Sequence, residues 1–313
     1  ALSLIHCNDR YSITPPWVLK KYPKVEQVLY LLRSNPCLTT CSYCEQAFNP
    51  NRVLKSYFGY DAFRKYNDEP LQEKAVLSAV NNDSLLAVFP TGGGKSITFQ
   101  VPALMAGENA KALTVVISPL QSLMKDQVDN LEKKGITDAV TINGLLDPIE
   151  RSKAVERVED GSAFILYISP ESLRSVTIQR LLLKRKIARF VIDEAHCFSS
   201  WGQDFRVDYL YIGDFIKNLQ DIKGPDTRIP VSCFTATAKQ KVIEDIQQYF
   251  KEKLGLNLVL YRATAGRKNL QYEVFKKDTD EEKYAQLRDL IETRNCPTIV
   301  YVSRTQRAYK LAT

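Results

Sequence analysis

The strongest chemical signal in the chain is Ala87-Val-Phe-Pro-Thr-Gly-Gly-Gly-Lys-Ser96, an apolar run that enters a glycine-rich turn. Gly92, Gly93 and Gly94 carry no side chains, so successive backbone N–H groups between Thr91 and Ser96 can turn toward one anion. Lys95 adds a point charge for outer phosphates, and the Ser96 hydroxyl can ligate Mg²⁺. The chemistry implied is phosphate binding. The pattern departs from G-x-x-x-x-G-K-[ST] at one position, where Phe89 stands in place of the first glycine. A glycine-rich strand-to-helix turn with an unpaired lysine is the plainer alternative, and the apolar strand before it and the helical pattern after it argue against that.

A second constellation lies 98 residues beyond Lys95: Phe190-Val-Ile-Asp-Glu-Ala-His196 ends an apolar strand in two adjacent carboxylates. Ligands of parallel sheets bind beyond the strand C-termini, so Asp193 can complete a Mg²⁺ shell and Glu194 can polarise an attacking water. Alone this pair would read as an exposed acidic turn. A third group is Cys7, Cys37, Cys41 and Cys44, with His6 beside the first. Cys-x3-Cys-x2-Cys with one distant partner can close a tetrahedral Zn²⁺ site or carry an iron–sulfur cluster, with free thiols on a loop as the alternative. Cys197, Cys233 and Cys296 lie in apolar contexts and read as core.

These residues need a scaffold. Short apolar runs at Leu85–Phe89, Leu113–Ser118, Ala139–Ile142, Phe164–Ser169, Phe190–Ile192 and Pro230–Phe234 alternate with helical periods at Ser96–Ala106, Gln121–Lys134, Pro148–Glu159, Glu171–Lys184, Tyr209–Leu219 and Lys239–Leu254. Near-continuous apolar strands between helices predict an α/β fold, a parallel sheet covered by helices on both faces. Tyr261 to Leu270 is polar and reads as an interdomain linker. After it come a strand at Gln271–Phe275, a helix at Glu281–Thr293, a strand at Thr298–Val302 and a helix opening at Arg304. About 40 residues cannot close a core of this class, so only part of a second domain is expected. The organisation is residues 1–54, 55–262 and 263–313.

The 313 residues are 44% hydrophobic and 25% charged, which suits a globular chain and excludes a disordered or collagen-like one. No apolar run approaches a membrane span, and an odd cysteine count of seven argues against a disulfide framework. The opening Ala-Leu-Ser-Leu-Ile-His has no targeting pattern, so the expected compartment is the cytoplasm, or the nucleus of a eukaryote. Net charge is +7, but residues 55–262 contribute only +1, so basicity alone is weak support for a nucleic-acid partner. The cluster Arg180, Lys184, Arg185, Lys186 and Arg189 is expected to cap helix termini.

Taken together, residues 55–313 resemble the RecQ family of superfamily 2 DNA helicases. Asp193-Glu-Ala-His196 is similar to its DEAH box, and Cys197-Phe-Ser-Ser-Trp-Gly-Gln-Asp-Phe-Arg206 to its aromatic-rich loop. Phe58-Gly-Tyr60 with Gln72 is similar to its adenine motif. Further matches are Ser118-Pro-Leu-Gln-Ser-Leu-Met-Lys-Asp-Gln127, Tyr167-Ile-Ser-Pro-Glu-Ser172, Phe234-Thr-Ala-Thr-Ala238 and Thr298-Ile-Val-Tyr-Val-Ser303. The resemblance implies a RecA-like P-loop NTPase domain, the start of a second such domain, and ATP and Mg²⁺ as cofactors. It implies that Tyr60 stacks on adenine and Gln72 hydrogen-bonds its edge. It also implies that Trp201 and Phe205 meet single-stranded DNA, with Arg206, His196, Thr235 and Thr237 coupling DNA and nucleotide sites. Implied partners are single-stranded DNA and duplex junctions, and the implied activity is 3′ to 5′ unwinding in repair or recombination. A nucleotide-gated clamp without turnover and an RNA helicase share part of this pattern. Two departures stand out. Lys65 to Leu71 separate Arg64 from Gln72 where the family has two residues, an insertion before Pro70, and Gln203 replaces a histidine common in the loop. The arginine finger of the second lobe has no match up to Thr313, so slow hydrolysis is expected of these residues alone.

Overall fold

The computed structural model describes residues 18, 21–22, 24–37, 41–199, 206–224, 227–236, 238–263 and 271–312. The chain divides into two compact units, Ala1–Ala265 and Gly266–Thr313. In the first, seven strands form one sheet: β1 (Leu85–Val88), β2 (Leu113–Ile117), β3 (Ala139–Thr141), β4 (Ile165–Ile168), β5 (Ile187–Ile192), β6 (Val231–Thr235) and β7 (Val259–Arg262). Their order is β3-β4-β2-β5-β6-β1-β7, and every pairing is parallel.

Strand alternation explains why the apolar runs are continuous. Leu86 and Val88 enter one core with Phe190, Ile192, Phe215, Ile243 and Phe250, whereas Leu85 and Ala87 enter another with Phe99, Leu104, Val191 and Phe234. Both faces are therefore dry. The helices are α1 (Lys24–Arg33), α2 (Ser42–Ala47), α3 (Pro50–Val53), α4 (Leu71–Val80), α5 (Lys95–Ala110), α6 (Gln121–Glu132), α7 (Pro148–Glu159), α8 (Val176–Lys184), α9 (Val207–Lys223) and α10 (Gln240–Leu254). Asp147 starts α7 with a reciprocal capping box to Glu150, and Gly255 ends α10 in the left-handed conformation.

The strand order positions the chemistry. β6 lies between β5 and β1, so the C-terminal ends of β1, β6 and β5 stand in a row along one sheet edge. The residues that follow them are the glycine-rich turn, Thr235 at the end of β6, and Asp193-Glu194.

Two members of the basic cluster, Arg185 and Arg189, donate to carbonyls at the ends of other helices. Arg185 donates to the carbonyls of Val158 and Lys111, at the ends of α7 and α5, and Arg189 donates to those of Ala79 at the end of α4 and Asp83. Both guanidinium groups are buried. Arg185 also pairs with Glu26 of α1 at 2.9 Å, with each side chain only 2% exposed. The other Glu26 oxygen accepts the Lys186 N–H at 2.8 Å.

Several expectations require correction. Residues 261 and 262 are not linker but the end of β7, an edge strand that carries the apolar run Val259-Leu260-Tyr261 into parallel pairing with β1. The helix expected over Glu171–Lys184 is a 3₁₀ turn, Pro170–Arg174, followed by α8, because Ser175 is extended. In the second unit two helices form, α11 (Asp280–Arg294) and α12 (Thr305–Ala312). Neither 271–275 nor 298–302 joins a ladder, and Tyr272, Val274, Ile299 and Tyr301 stand exposed. Apolar alternation makes a strand only where a neighbouring strand satisfies its backbone. Cys296 is exposed for the same reason, whereas Cys197 and Cys233 are buried.

Candidate nucleotide site

The turn after β1 is built for backbone exposure. Gly92 and Gly94 have φ of +71° and +83°, where a side chain would be strained. A Cβ at Gly93 would lie 2.7 Å from the Pro90 carbonyl oxygen, and one at Gly94 2.6 Å from Gln72 Nε2. Each of the three glycine carbonyls accepts a hydrogen bond from a side chain of residues 64–72, and Gly94 O also accepts from Thr98 of α5. Arg64 Nη1 donates to Gly92 O at 2.5 Å, the Tyr66 hydroxyl donates to Gly93 O, and Gln72 Nε2 donates to Gly94 O at 2.9 Å. In a trans peptide the N–H points opposite to its C=O. The captured carbonyls of Gly93 and Gly94 thus aim the N–H groups of Gly94 and Lys95 away from residues 64–72, at the start of α5, where anions are favoured.

Gln72 is buried, and its Oε1 accepts the Arg64 N–H at 2.7 Å. The structure ties it to the turn. Tyr60 is half exposed, with Lys134 Nζ 5.7 Å from its ring centroid.

Tyr66 was not among the sequence candidates, although the insertion that carries it was visible. Tyr66 and Glu69 exchange both backbone hydrogen bonds, at 2.9 and 3.0 Å, around Asn67 and Asp68, whose φ values are +48° and +65°. Asn and Asp tolerate this left-handed geometry, so Asn67-Asp68 was the available signal for a tight reversal. The reversal lays the Tyr66 ring on Phe89, with centroids 4.8 Å apart and planes 25° apart. Burial pushes the Tyr66 hydroxyl up to about 12, so it remains a donor at neutral pH.

At the end of β5, Asp193 N–H extends the ladder to Ile117 O at 2.9 Å, and Asp193 Oδ1 accepts Glu194 N–H at 3.0 Å. Glu194 has φ +49°, an unusual conformation for a side chain of its size, and it turns the carboxylate toward the glycine-rich turn. One Glu194 oxygen lies 3.7 Å from Lys95 Nζ and the other 3.2 Å from His196 Nδ1. A carboxylate only accepts, so the proton sits on Nδ1. The same Nδ1 is 3.1 Å from Thr235 Oγ1, and Thr235 O accepts the Phe89 N–H at 3.0 Å. Lys95, Glu194, His196 and Thr235 thus form one continuous chain across β1, β5 and β6.

Electrostatics separates the two carboxyls. Burial, then the adjacent Glu194 charge, raises Asp193 to about 6, whereas the His196 contact holds Glu194 below its usual range. Hydrogen bonding to the Cys197 sulfur and to Glu194 raises His196 to about 10. A partly buried carboxyl raised by desolvation and by its acidic neighbour, next to a turn where Gly93 and Gly94 leave no room for a Cβ, fits a cation-bound phosphate.

The residues that begin and end the aromatic-rich loop are anchored. Ser199 Oγ donates to Asp245 at 2.5 Å, Arg206 N–H donates to Cys197 O at 3.1 Å, and Arg206 Nη1 reaches Pro119 O at 3.4 Å. Trp201, Gln203, Phe205, Thr237 and Cys7 lie outside the described residues.

With this geometry in place, comparison with known proteins is decisive at the family level. The DEAD/DEAH box helicase family matches residues 69–246, more than half of the chain. The chain belongs to the DEAD/DEAH box helicase family. Within the family it is similar to the ATP-dependent DNA helicase RecQ of Haemophilus influenzae, 34% identical over 264 residues, covering 83% of this chain and 38% of that protein. It is also similar to the RecQ of Bacillus subtilis, 36% identical over 263 residues, covering 83% and 40%. This helicase-family chain therefore spans about two-fifths of the length of these two relatives. The fold resembles that of the DUF1998 helicase MrfA, with a TM-score of 0.60 at 19% identity, covering 84% of this chain and 39% of that one. Among the described residues, no helix is long and apolar enough to cross a membrane.

Proposed function

We propose that this chain is the nucleotide-binding part of an ATP-dependent DNA helicase of RecQ type. The observation that best supports this is the unbroken link from the glycine-rich turn through Lys95, Glu194 and His196 to Thr235. In this reading adenine stacks on the exposed Tyr60 ring. The phosphates lie against the N–H groups of Gly94 and Lys95 and against Lys95 Nζ, with Thr91 at the mouth of the turn. Ser96 and Asp193 would hold Mg²⁺, which would supply neutralising charge to the phosphates.

Glu194 stays ionised because His196 and Lys95 hold it so, and it orients the attacking water. His196 and Thr235 make that orientation depend on the end of β6. By the likeness of residues 197–206 and 234–238 to the family, Arg206, Trp201, Phe205 and Thr237 are assigned to DNA binding and its coupling to this site. The names of the relatives and the likeness of residues 197–206 to the RecQ loop favour DNA over RNA, with 3′ to 5′ unwinding in repair or recombination as the setting.

Phosphate release should be measured with and without a single-stranded oligonucleotide, on residues 1–313 and on a polypeptide that extends through a whole second lobe. An arginine from a second lobe is worth on the order of 10³ to 10⁵ in rate. Both polypeptides should bind ADP, and only the longer should show robust DNA-stimulated turnover. Absence of ADP binding by either would overturn the assignment. RNA stimulating the longer one better than DNA would overturn the DNA reading.

A further inference from the structure

Outside the nucleotide site, three thiols converge. Cys37 Sγ lies 3.7 Å from Cys41 Sγ and 3.3 Å from Cys44 Sγ, and all three sulfurs lie within 4.8 Å of one another. From these distances we infer that Cys37, Cys41 and Cys44 bind one Zn²⁺ ion, which ties the turn after α1 to α2. Zn–S bonds of about 2.3 Å in a tetrahedron place neighbouring sulfurs about 3.8 Å apart, so the two separations from Cys37, 3.3 and 3.7 Å, need only a small expansion. An iron–sulfur cluster distributes its thiolates over several irons, which spreads the sulfurs beyond one shared coordination point.

The backbone is arranged for thiolates as well. The Cys37 N–H donates to Cys44 Sγ at 3.2 Å, and the Cys44 N–H donates to Cys41 Sγ at 3.3 Å. Such amide donors offset the charge of metal-bound sulfur and orient it. Three thiolates around one dication leave a net charge of −1, and Arg33, stacked on Tyr43 at 4.2 Å to the ring centroid, brings a cation to the same corner. Cys37 is exposed and the other two are half-buried, so the ion has a path in.

The position of the corner indicates what the ion does. On one side of it, α1 is anchored through Glu26 to Arg185 and Lys186. On the other, Ala47 O at the end of α2 accepts from Asn109 of α5 at 2.9 Å, and Arg52 of α3 pairs with Glu108 of α5 at 3.0 Å. The segment between the anchors is short, and the three thiols sit at its bend between α1 and α2. A metal that binds the folded corner and not the unfolded chain adds its binding free energy to folding, as in small metal-stabilised modules. The role is structural and independent of nucleotide chemistry.

The test is metal analysis of the full chain purified without chelator, followed by exchange into Co²⁺. About one zinc per chain is expected, as is a cobalt spectrum with intense thiolate charge-transfer and tetrahedral bands. Cys41→Ser and Cys44→Ser should each lower zinc below about a tenth of an equivalent, whereas Cys296→Ser should retain it. ADP binding and far-ultraviolet circular dichroism of the serine variants distinguish a lost ion from a failure to fold. If a serine variant does not fold, cobalt absorption of the parent chain still decides. Iron with visible absorption, a Cys37–Cys44 disulfide found by mass, or three free thiols without metal would each overturn the inference.

Discussion

Tyr66→Phe isolates one of the three contacts that hold the glycine carbonyls. The substitution removes the hydroxyl that donates to Gly93 O and keeps the ring that lies on Phe89 at 4.8 Å. A neutral hydrogen bond contributes about 1 kcal/mol net, so if the contact pre-aligns the turn, ADP should bind about fivefold more weakly. Tyr66→Ala also removes the aromatic pair, worth about 1 kcal/mol more, and should weaken binding about 30-fold. Because the hydroxyl titrates near 12, it donates across the working range, and the Tyr66→Phe effect should be constant from neutral pH to about pH 9. Calorimetric titration with Mg²⁺-ADP at fixed salt measures both variants. Coupling to Gln72→Leu should be sub-additive, since Tyr66 and Gln72 restrain adjacent peptide planes. If Tyr66→Phe and Tyr66→Ala both bind ADP as the parent does, the hairpin only decorates the turn and the pre-alignment argument fails.

Other parts of the structure give further expectations. Lys95→Ala should weaken ADP binding by at least about tenfold, since Lys95 is the cation beside the cradle; equal affinity in calorimetry counts against the site. Gly93→Ala forces a Cβ toward the Pro90 carbonyl, a contact that costs about 1–3 kcal/mol, and should impair nucleotide binding more than overall stability; a parent-like affinity refutes the steric reading. Glu26→Ala leaves the buried Arg185 charge without its partner and should lower unfolding free energy by about 3–5 kcal/mol in urea titration; a loss under about 1 kcal/mol shows that water or another group replaces it.

Much of the first unit was legible because its strands are dry on both faces, so β1 to β6 appear as near-continuous apolar runs, with Arg189 in β5 the one charged residue among them. The glycine-rich turn and Asp193-Glu194 were legible for a related reason: they follow strands directly, and their residue types are unusual there. β7 was not, although Val259-Leu260-Tyr261 is apolar, because the polar residues from Arg262 onward read as linker and nothing local shows the pairing with β1. Arg185 and Arg189 were read as helix caps, but sequence order concealed which helices they reach, because their acceptors lie 27 to 110 residues away. Tyr66 needed two facts together, the reversal at Asn67-Asp68 and the location of Gly93. Glu194 in a left-handed conformation is equally invisible to a pattern of polar and apolar residues.

The shared contacts of Thr235 define how the site can respond as a unit. Its backbone carbonyl receives the Phe89 N–H at the root of the glycine-rich turn, and its hydroxyl faces His196. A displacement of the end of β6 therefore acts at once on the phosphate cradle and, through His196, on the Glu194 carboxylate. Glu194 can follow because its two oxygens have different partners, Lys95 and His196, and an anion that attracts Lys95 leaves the His196 contact as the main restraint. Interactions shared through one side chain are not additive. Substituting Thr235, His196 or Glu194 should therefore disturb one coupled function and not three separate ones.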